Sequence, residues 1–376
     1  FSSADSIKKI TSPISLMNEL KEKSSAGLTT AFLTFFVLFF NFESRGQMPQ
    51  LFTEEVLSLT LSGDLKTVFK DRGDDSQYHP AELSYFSDQK KVSIPLKIKT
   101  RGNFRKSASN CKYPPLMLNF PKSEVIVNTL FAGQNKMKLV TPCQGDEYTI
   151  HEYLVYKLYN LFSPQSFQAQ LLKISFQDTL KRKKASTYYS LLLENEDQMA
   201  QRNQALLFEK IGYKPTQLDK VKFLEMAVFE YLIANTDWSV QYQQNIKLIK
   251  NEQNKLPIAV PYDFDHAGIV RSPYAKPAPA LQLSNIFTRR YRGYCISEMS
   301  VYQPVFDKFN RLRPAIYALY EANKVIQSSY KIKTLKFLDN FYDTINDPEK
   351  ALLAFGYPCD PLGTGNVVIK GLQKIN

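Results

Sequence analysis

The stretch of sequence that decides the fold is LDKVKFLEMAVFEYLIANTDWSVQYQQNIKLIKNEQNKLPIAVPYDFDHAG, residues 218–268. Its first half predicts a helix, because apolar residues recur there at the spacing of one helix face: Leu224, Ala227, Val228, Tyr231 and Leu232. This face ends at Asn235, and the polar residues after it, among them Asp237, predict a loop. An acidic side chain therefore follows the end of a core-facing helix, and loops at such positions often carry function.

A hairpin is predicted after this loop. Residues 245–249 alternate between polar and apolar side chains, residues 251–254 are turn formers, and residues 256–260 form a second apolar strand that leads into Asp263. Because a hairpin folds its two ends together, Asp237, Asn245 and Asp263 are expected to converge. Two carboxylates and an amide carbonyl are hard oxygen ligands, which suit a magnesium ion that bridges phosphate groups.

Protein kinases place their functional groups in the same order. An aspartate that orients the substrate hydroxyl is followed by a metal-binding asparagine, a hairpin and the metal-binding aspartate of a D-F-G sequence. Here Asp263-Phe264-Asp265 stands where D-F-G would, and H-R-D is absent, so an ordinary protein kinase is not predicted. Asp265 is the alternative metal ligand if the register is shifted by two residues. Each aspartate alone could also be only a helix cap or a turn former.

The motifs Asn235-Thr236-Asp237-Trp238 and Tyr262-Asp263-Phe264-Asp265, with Asn245 between them, resemble the CotH family of atypical kinases. More distantly, they resemble the HipA and lipid-kinase branches of the kinase-like fold. The similarity extends back to Arg101-Gly102-Asn103 and covers residues 92–295. The sequence around Cys111 and Cys143 also resembles a group of uncharacterised secreted proteins of Bacteroidetes-type bacteria.

The resemblance implies an α+β, two-lobed protein-kinase-like fold. Residues 48–195 are expected to form a β-rich small lobe, and residues 196–376 a mainly helical large lobe with the catalytic loop and the Asp-Phe-Asp segment. Residues 91–99 alternate clearly and predict one strand of the small lobe, which ends at a basic glycine turn. That turn could bring Arg101 to a phosphate, or it could be an ordinary basic hairpin.

Two further small-lobe features suggest a nucleotide site. Residues 136–140 predict a strand, and residues 148–162 predict a helix. Kinases hold the phosphates with a strand lysine that pairs with a helix glutamate, and Lys138 and Glu152 are the candidates, with solvated charges as the alternative. The apolar strand 187–193 runs into an acidic linker, as the hinge between kinase lobes does. Adenine is therefore expected near Leu193, Glu194 and Asn195, although an edge strand that meets a helix cap would look the same.

A proline-rich segment follows Gly268, where a kinase has its activation and substrate segment. It ends in three arginines within four positions, Arg289, Arg290 and Arg292, which could hold an acceptor carboxylate or phosphate. A surface loop is the alternative. From Met299 onward the apolar pattern is mostly helical.

Composition supports a folded chain with anionic partners. The 376 residues are 44% hydrophobic and carry a formal charge of +12, which favours nucleotides and other anionic ligands. The basic residues are dispersed, so no specific nucleic-acid partner is expected.

An export signal is predicted near the N-terminus. Residues 1–47 are interpreted as an upstream extension and a signal peptide that starts at Met17, with an apolar segment at residues 28–42. That segment is shorter than the roughly 20 residues of a spanning helix, so cleavage is favoured over an anchor, and membrane contact is expected only through the signal. The chain is therefore placed in the periplasm, on the outer surface or outside a bacterial cell. Four cysteines in an exported chain suggest two disulfides, and Cys111–Cys143 is the favoured pair because both flank strands of one region.

The leading hypothesis is a secreted atypical kinase that transfers phosphate from ATP to a hydroxyl of protein, glycan or lipid. Asp237 would orient or deprotonate the acceptor, and Asn245 and Asp263 would bind Mg²⁺ or Mn²⁺. One alternative is a catalytically inactive kinase-like protein that binds a partner or a surface. A second alternative is a glycan hydrolase that uses Asp237 and Asp263 as a carboxylate pair.

Overall fold

A ring of seven strands makes up most of the N-terminal half of the protein in the computed structural model, which describes residues 51–122, 126–182, 184–252 and 256–360. The strands are β1 (Leu57–Gly63), β2 (His79–Ser87), β3 (Lys90–Thr100), β4 (Leu116–Asn119), β5 (Lys136–Val140), β6 (Ala169–Asp178) and β7 (Ser186–Leu193). They form a closed barrel in the order β1-β2-β3-β4-β5-β7-β6. Parallel pairing of β1 with β6, from Leu57 opposite Leu172 to Gly63 opposite Asp178, closes the ring.

The alternating sequence of the strands fills the barrel with apolar side chains. In β3, Ile94, Leu96 and Ile98 are buried while the lysines at positions 91 and 97 are exposed, which confirms the predicted strand. The fully buried interior is apolar: Leu61, Leu83, Ile94, Leu116, Leu139 and Ile174. A short helix, α1 (Leu65–Val68), follows β1, and the Asp64 side chain caps it by accepting from the Thr67 N–H.

One helix belongs to both halves of the protein. Helix α2 (Glu147–Phe162) confirms the helix predicted at residues 148–162 and packs on β6, β7 and the helix Gln303–Glu321. Its buried residues, among them Tyr156, Leu158 and Phe162, share one hydrophobic core with strand residues such as Leu171 and Leu191 and with the helices beyond. The described residues belong to one compact unit, and the predicted boundary at residue 195 lies inside it.

The C-terminal half is mainly helical and contains a small sheet. Its helices are α3 (Glu196–Arg202), α4 (Lys220–Leu232), α5 (Gln303–Glu321), α6 (Ser328–Ile345) and α7 (Pro348–Phe355). Strands β8 (Leu206–Leu207), β9 (Ile246–Lys250) and β10 (Ile258–Pro261) pair in the order β10-β9-β8. The predicted helix before Asn235 and the predicted hairpin after it are thus confirmed, with Pro261 opposite Ile246. The fold is α+β, with a β-rich region followed by a helical region.

Two disulfides connect loops of the chain. Cys111 pairs with Cys143 as predicted, with 4.8 Å between their Cα atoms, and Cys295 pairs with Cys359 across 4.6 Å. Disulfides are typical of proteins in an oxidising compartment. None of the helices in the described ranges is long and apolar enough to cross a membrane. The predicted signal peptide, including Met17 and residues 28–42, lies outside the described residues.

Candidate functional site

The loop that carries Asp237 is held in shape by its own polar groups. At the end of α4, Ala234 adopts a left-handed conformation with φ of +52°. The Asn235 N–H donates to the carbonyl oxygen of Glu230 over 2.9 Å, and the Asn235 Oδ1 accepts from the Asp237 N–H over 3.0 Å. This Asx turn fixes the backbone on which the Asp237 side chain stands.

Asn245 joins this loop to the hairpin. Its Nδ2 donates to the main-chain oxygen of Asp237 over 2.7 Å and to the carboxylate Oδ2 of Asp237 over 3.1 Å. The main-chain carbonyl oxygen of Asn245 accepts from the Tyr262 N–H over 3.0 Å. Asp263 directly follows Tyr262, so the structure confirms that Asp237, Asn245 and Asp263 converge at one end of the hairpin.

The segment after β10 is drawn against the same loop. Asp263 has a φ of +61°, and its N–H donates to the hydroxyl of Tyr156 on α2 over 2.8 Å. The Gly268 N–H donates to the carbonyl of Ala234 over 3.1 Å. A Cβ atom at Gly268 would come within 2.3 Å of the Ile286 carbonyl oxygen, so only glycine allows this close approach.

Burial and neighbouring charge affect both aspartates. Burial raises the pKa of Asp237, and the nearby Asp263 raises it further, whereas His266, Arg292 and the Asn245 hydrogen bond act in the opposite direction. Burial also raises the pKa of Asp263, with a smaller contribution from Asp265. The two carboxyl groups thus lie in a partly desolvated setting that favours a cation between or beside them.

A buried ionic cluster lies next to these aspartates. The Nη1 of Arg105 is 3.4 Å from the Oε2 of Glu152 and 3.7 Å from the Oδ2 of Asp265. The same Asp265 oxygen accepts from the Tyr274 hydroxyl over 3.1 Å. Arg105, Glu152 and Asp265 are all buried, and Arg105 is the positively charged member that contacts both acids. Asp265 therefore has protein partners already, which leaves Asp263 as the better placed of the two candidate metal ligands.

The predicted Lys138–Glu152 pair is wrong. Lys138 lies on β5, and its Nζ is 3.2 Å from the Oε2 of Glu196 at the start of α3. Glu152 instead pairs with Arg105, which is buried in the short 3₁₀ helix Phe104–Lys106, while Lys138 pairs with Glu196. The signal for Arg105 was present in the sequence, in the basic turn after β3, but its inward direction depends on the turn conformation.

A second group of cations lies beside Asp263. Lys138 and Lys247 share the Glu196 carboxylate, at 3.2 and 3.1 Å, and the Lys138 ammonium is 4.9 Å from the centre of the Tyr262 ring. The positive charge of Arg101 acts on both Asp263 and Lys138. Lys138 and Lys247 thus share one glutamate, and Arg101 adds a third positive charge near the candidate metal ligand, so this side of the site carries a net positive charge.

The residues predicted to form a hinge, Leu193, Glu194 and Asn195, lie at the junction of β7 and α3. Leu193 pairs with Lys138 on one side and Ala169 on the other. The carboxylate of Glu194 accepts from Arg202 and from the Gln168 N–H, each at 2.9 Å. Asn195 caps α3 by accepting from the N–H groups of residues 197 and 198. These side chains have structural partners, so an adenine contact here would involve the main chain.

The three arginines of the proline-rich segment do not converge. Arg292 donates to the carbonyl oxygens of Thr236 and Trp238 and so supports the Asp237 loop. Arg289 donates to the carbonyls of Leu232 and Phe337, while Arg290 donates to the Tyr357 hydroxyl. Arg292 thus acts on the loop, whereas the other two lie at a separate cavity.

The chain matches no family model and no curated protein.

The donor atoms of the site fit a magnesium ion that is shared with a substrate. In the described ranges no group of three or more His, Cys, Asp or Glu side chains is placed to hold a metal by itself. Magnesium is usually bound by only one or two carboxylates together with substrate phosphates and water. Asp263 supplies a carboxylate, and Asn245 uses its amide nitrogen on Asp237, which leaves its amide oxygen for a cation.

One buried acid behind the loop was not anticipated from the sequence. Glu230 of α4 is 1% exposed, and burial raises its pKa to about 8, against smaller opposing effects of Asn235 and Arg292. The sequence did not indicate that Glu230 is buried, because a glutamate in an amphipathic helix is normally exposed to solvent. The carboxyl group thus holds its proton at neutral pH beneath the Asp237 loop.

Glu230→Gln is expected to stabilise the protein at high pH. Because the folded-state pKa is raised above the unfolded value, the wild-type protein loses stability as the pH rises from about 4.5 to about 8. The neutral amide removes this loss, so the variant should gain on the order of 1–3 kcal/mol at pH 8 and nothing near pH 4.5. Urea unfolding of both proteins between pH 4 and pH 9 measures the difference, and a gain that does not depend on pH would contradict the assignment.

Proposed function

We propose that the protein is an exported kinase-like phosphotransferase that moves phosphate from ATP to a hydroxyl of a protein, glycan or lipid, with Mg²⁺ or Mn²⁺. The observation that carries the proposal is the position of Asn245. Its amide contacts both the main-chain oxygen and the carboxylate of Asp237, while Asp263 follows the other end of the same hairpin. This order of groups, and the contact between the asparagine and the first aspartate, resemble the arrangement that protein kinases use for phosphoryl transfer and support the proposal.

Asp237 is assigned the acceptor hydroxyl. The hydrogen bond from Asn245 occupies its Oδ2, so its Oδ1 is the oxygen that can accept the proton of an incoming hydroxyl. Partial burial raises its pKa, which brings its basicity closer to that needed at neutral pH. The Asx turn and Arg292 keep the loop rigid, so the carboxylate is held in place before the acceptor arrives.

The remaining groups are assigned to the nucleotide. When bound, the divalent cation would neutralise phosphate charge and orient the terminal phosphate; Asp263 and Asn245 are the residues that would hold it. Lys138, Lys247 and Arg101 supply positive charge on the same side. The Arg105–Glu152–Asp265 cluster positions the Asp-Phe-Asp segment against α2.

In this proposal the barrel and the helical region correspond to the small and large lobes of a kinase. Helix α2 carries Glu152 between them, and the junction at Leu193–Asn195 is the hinge. The pairing of β1 with β6 closes the strands into a barrel, whereas the small-lobe sheet of a kinase is open. The correspondence therefore rests on the order of β5, α2, β7, α4 and the β9–β10 hairpin.

The inactive binding protein keeps one specific observation in its favour. Glu196 already neutralises Lys138 and Lys247, so the lysines are engaged without any nucleotide. A nucleotide would have to displace this carboxylate or bind beside it. Nucleotide-dependent stabilisation without transfer would favour this alternative.

Thermal unfolding of the full chain tests the proposal. ATP together with Mg²⁺ or Mn²⁺ is expected to raise Tm by about 2–5 °C, because a ligand at about 100 times its Kd adds about 2.7 kcal/mol to the free energy of unfolding. ATP alone and the metal alone should have much smaller effects. Absence of a combined effect with ATP or GTP at millimolar concentration would remove the support for a nucleotide site.

A further inference from the structure

His266 lies in the turn that connects the Asp-Phe-Asp segment to the end of α4. It comes three residues after Asp263, and the main chain just beyond it is bonded to that helix end, since the Gly268 N–H donates to the Ala234 carbonyl over 3.1 Å. Asp237 follows Ala234 by three residues. The turn that carries the imidazole is therefore held against the loop that carries Asp237.

The ring nitrogens of His266 have no partner within the protein. The side chain is 9% exposed, and its Nδ1 is buried without a hydrogen-bond partner among the described residues. In the same ranges, no hydrogen bond or ion pair includes its Nε2. Buried polar groups are normally paired, and a catalytic role is one of the few reasons for an exception. The unpaired imidazole is thus a group that a ligand could satisfy.

Aromatic packing, rather than hydrogen bonding, fixes this imidazole. Its ring meets the Phe104 ring at a centroid distance of 5.8 Å and the Tyr274 ring at 5.8 Å, both edge to face. The Tyr274 hydroxyl in turn donates to the Oδ2 of Asp265 over 3.1 Å. Phe104 is 40% exposed, so this group of rings borders the surface and not only the core. The imidazole is therefore oriented while its nitrogens stay available.

Electrostatics place His266 near both of the aspartates assigned to phosphoryl transfer. Burial raises the pKa of Asp237 and of Asp263, and a positive charge on His266 opposes the rise at each of them. At Asp237 it is the largest of the opposing effects. In the proposed function Asp237 holds the acceptor, and Asp263 holds the metal on the terminal phosphate. The phosphoryl group in transfer would lie between these two carboxylates, which is the region that His266 adjoins.

We infer that His266 is a further catalytic residue, whose ring N–H donates a hydrogen bond to the phosphoryl group during transfer; this inference rests on the proposed function. In the step, the acceptor oxygen forms a bond to the terminal phosphorus, and the bond from that phosphorus to the departing ADP oxygen breaks with its electron pair. The acceptor proton passes to Asp237. His266 keeps its own proton and stabilises negative charge on a phosphoryl oxygen.

Imidazole NMR of the full chain tests the contact without requiring a known acceptor. The chain has three histidines, His79, His151 and His266, so the ¹H–¹⁵N spectrum of their side chains is simple enough to assign with His266→Phe and His79→Gln. The probe is Mg²⁺ with the non-hydrolysable β,γ-imido analogue of ATP. The ring signals of His266 are expected to shift strongly on binding, whereas those of the other two should move little.

His266→Phe separates a catalytic role from a structural one. Phenylalanine keeps a ring for packing on Phe104 and Tyr274 but has no nitrogen. Tm without ligands should stay equal or rise, because the change removes a buried polar atom that has no partner. The kcat for phosphate transfer from ATP to an acceptor or to water should fall roughly 100-fold, the usual effect of losing one donor to developing charge. The KM for ATP should change less than about threefold.

Two further variants complete the series. His266→Gln should recover part of the lost kcat, because the glutamine amide can donate a hydrogen bond from a similar position. The matched control is His79→Gln, which removes an imidazole that pairs with the Asp71 carboxylate at 2.9 Å. This control should retain the wild-type kcat and the nucleotide-induced shift of the His266 signals.

The outcomes distinguish this inference from the proposal on which it rests. If the ATP analogue raises Tm but leaves the His266 signals in place, or if folded His266→Phe transfers phosphate at the wild-type rate, His266 has no catalytic role and the nucleotide site stands. If the analogue with Mg²⁺ neither raises Tm nor moves any imidazole signal, the nucleotide site is refuted and the role of His266 with it. Should His266→Phe fail to fold, the signals of the wild-type protein decide.

Discussion

Asparagine in place of Asp237 is expected to reduce phosphoryl transfer by about 1000-fold, while the metal-dependent rise of Tm with ATP remains. The loss corresponds to removal of a positioned general base, which typically contributes 10²- to 10⁴-fold. The fold should be retained, because the amide oxygen of the new side chain can still accept from the Asn245 Nδ2. Transfer of labelled phosphate from ATP to a mixture of the chain and candidate hydroxyl acceptors measures the rate.

The control for this change is Asp343→Asn. Asp343 is exposed on α6, so its replacement alters the charge of the protein equally without touching the loop. The control should retain full transfer. Full transfer by Asp237→Asn would remove this residue from the mechanism, and loss of the Tm rise would show that the change had disturbed the nucleotide site as well.

Asp263→Asn is expected to change stability and binding in opposite directions. Without metal the variant should have a higher Tm than the wild type, because burial and the neighbouring Asp265 raise the pKa of Asp263 and make its ionised form costly at neutral pH. With ATP and Mg²⁺ the rise of Tm should be lost, since the amide cannot replace the charged oxygen donor. Thermal unfolding at pH 7 with and without the ligands gives both results.

Asp265→Asn is the matched comparison for this experiment. Asp265 is the partner of Arg105 and Tyr274, so its neutralisation leaves a buried guanidinium with one fewer anion and should lower Tm. The rise of Tm with ATP and metal should persist. If instead Asp265→Asn abolished the rise and Asp263→Asn preserved it, the metal-binding position would lie two residues later than assigned.

The sequence predicted those parts of the fold that depend on local patterns. Helix α4, the β9–β10 hairpin, β3 and α2 each carry the periodicity of their own secondary structure, and each was located to within a few residues. The convergence of Asp237 and Asn245 followed from the geometry of a hairpin. The pairing of Cys111 with Cys143 was also correct, because both lie beside strands of the same region.

Local sequence patterns could not predict which distant strands pair or which way a side chain points. The contact between β1 and β6 joins segments far apart in the chain, and no local pattern indicates that the sheet closes. Strand β2 also lacked a clear alternation, since its buried residues, Leu83, Ser84 and Tyr85, are consecutive. Lys138 lies on β5 and Arg105 in the turn at Phe104–Lys106, and the conformation of that turn determines that Arg105 meets Glu152.

The closed ring of strands also determines how an extended polypeptide could be recognised. Every strand of the barrel has a hydrogen-bonded neighbour on each side over at least part of its length, so none of them is free along a whole edge. In the part of the chain that the structure describes, the free sheet edges belong to β8, which has only two residues, and to β10, which ends in a proline. A peptide partner would therefore find no complete strand edge to pair with, and its selection would depend mainly on side chains and charge.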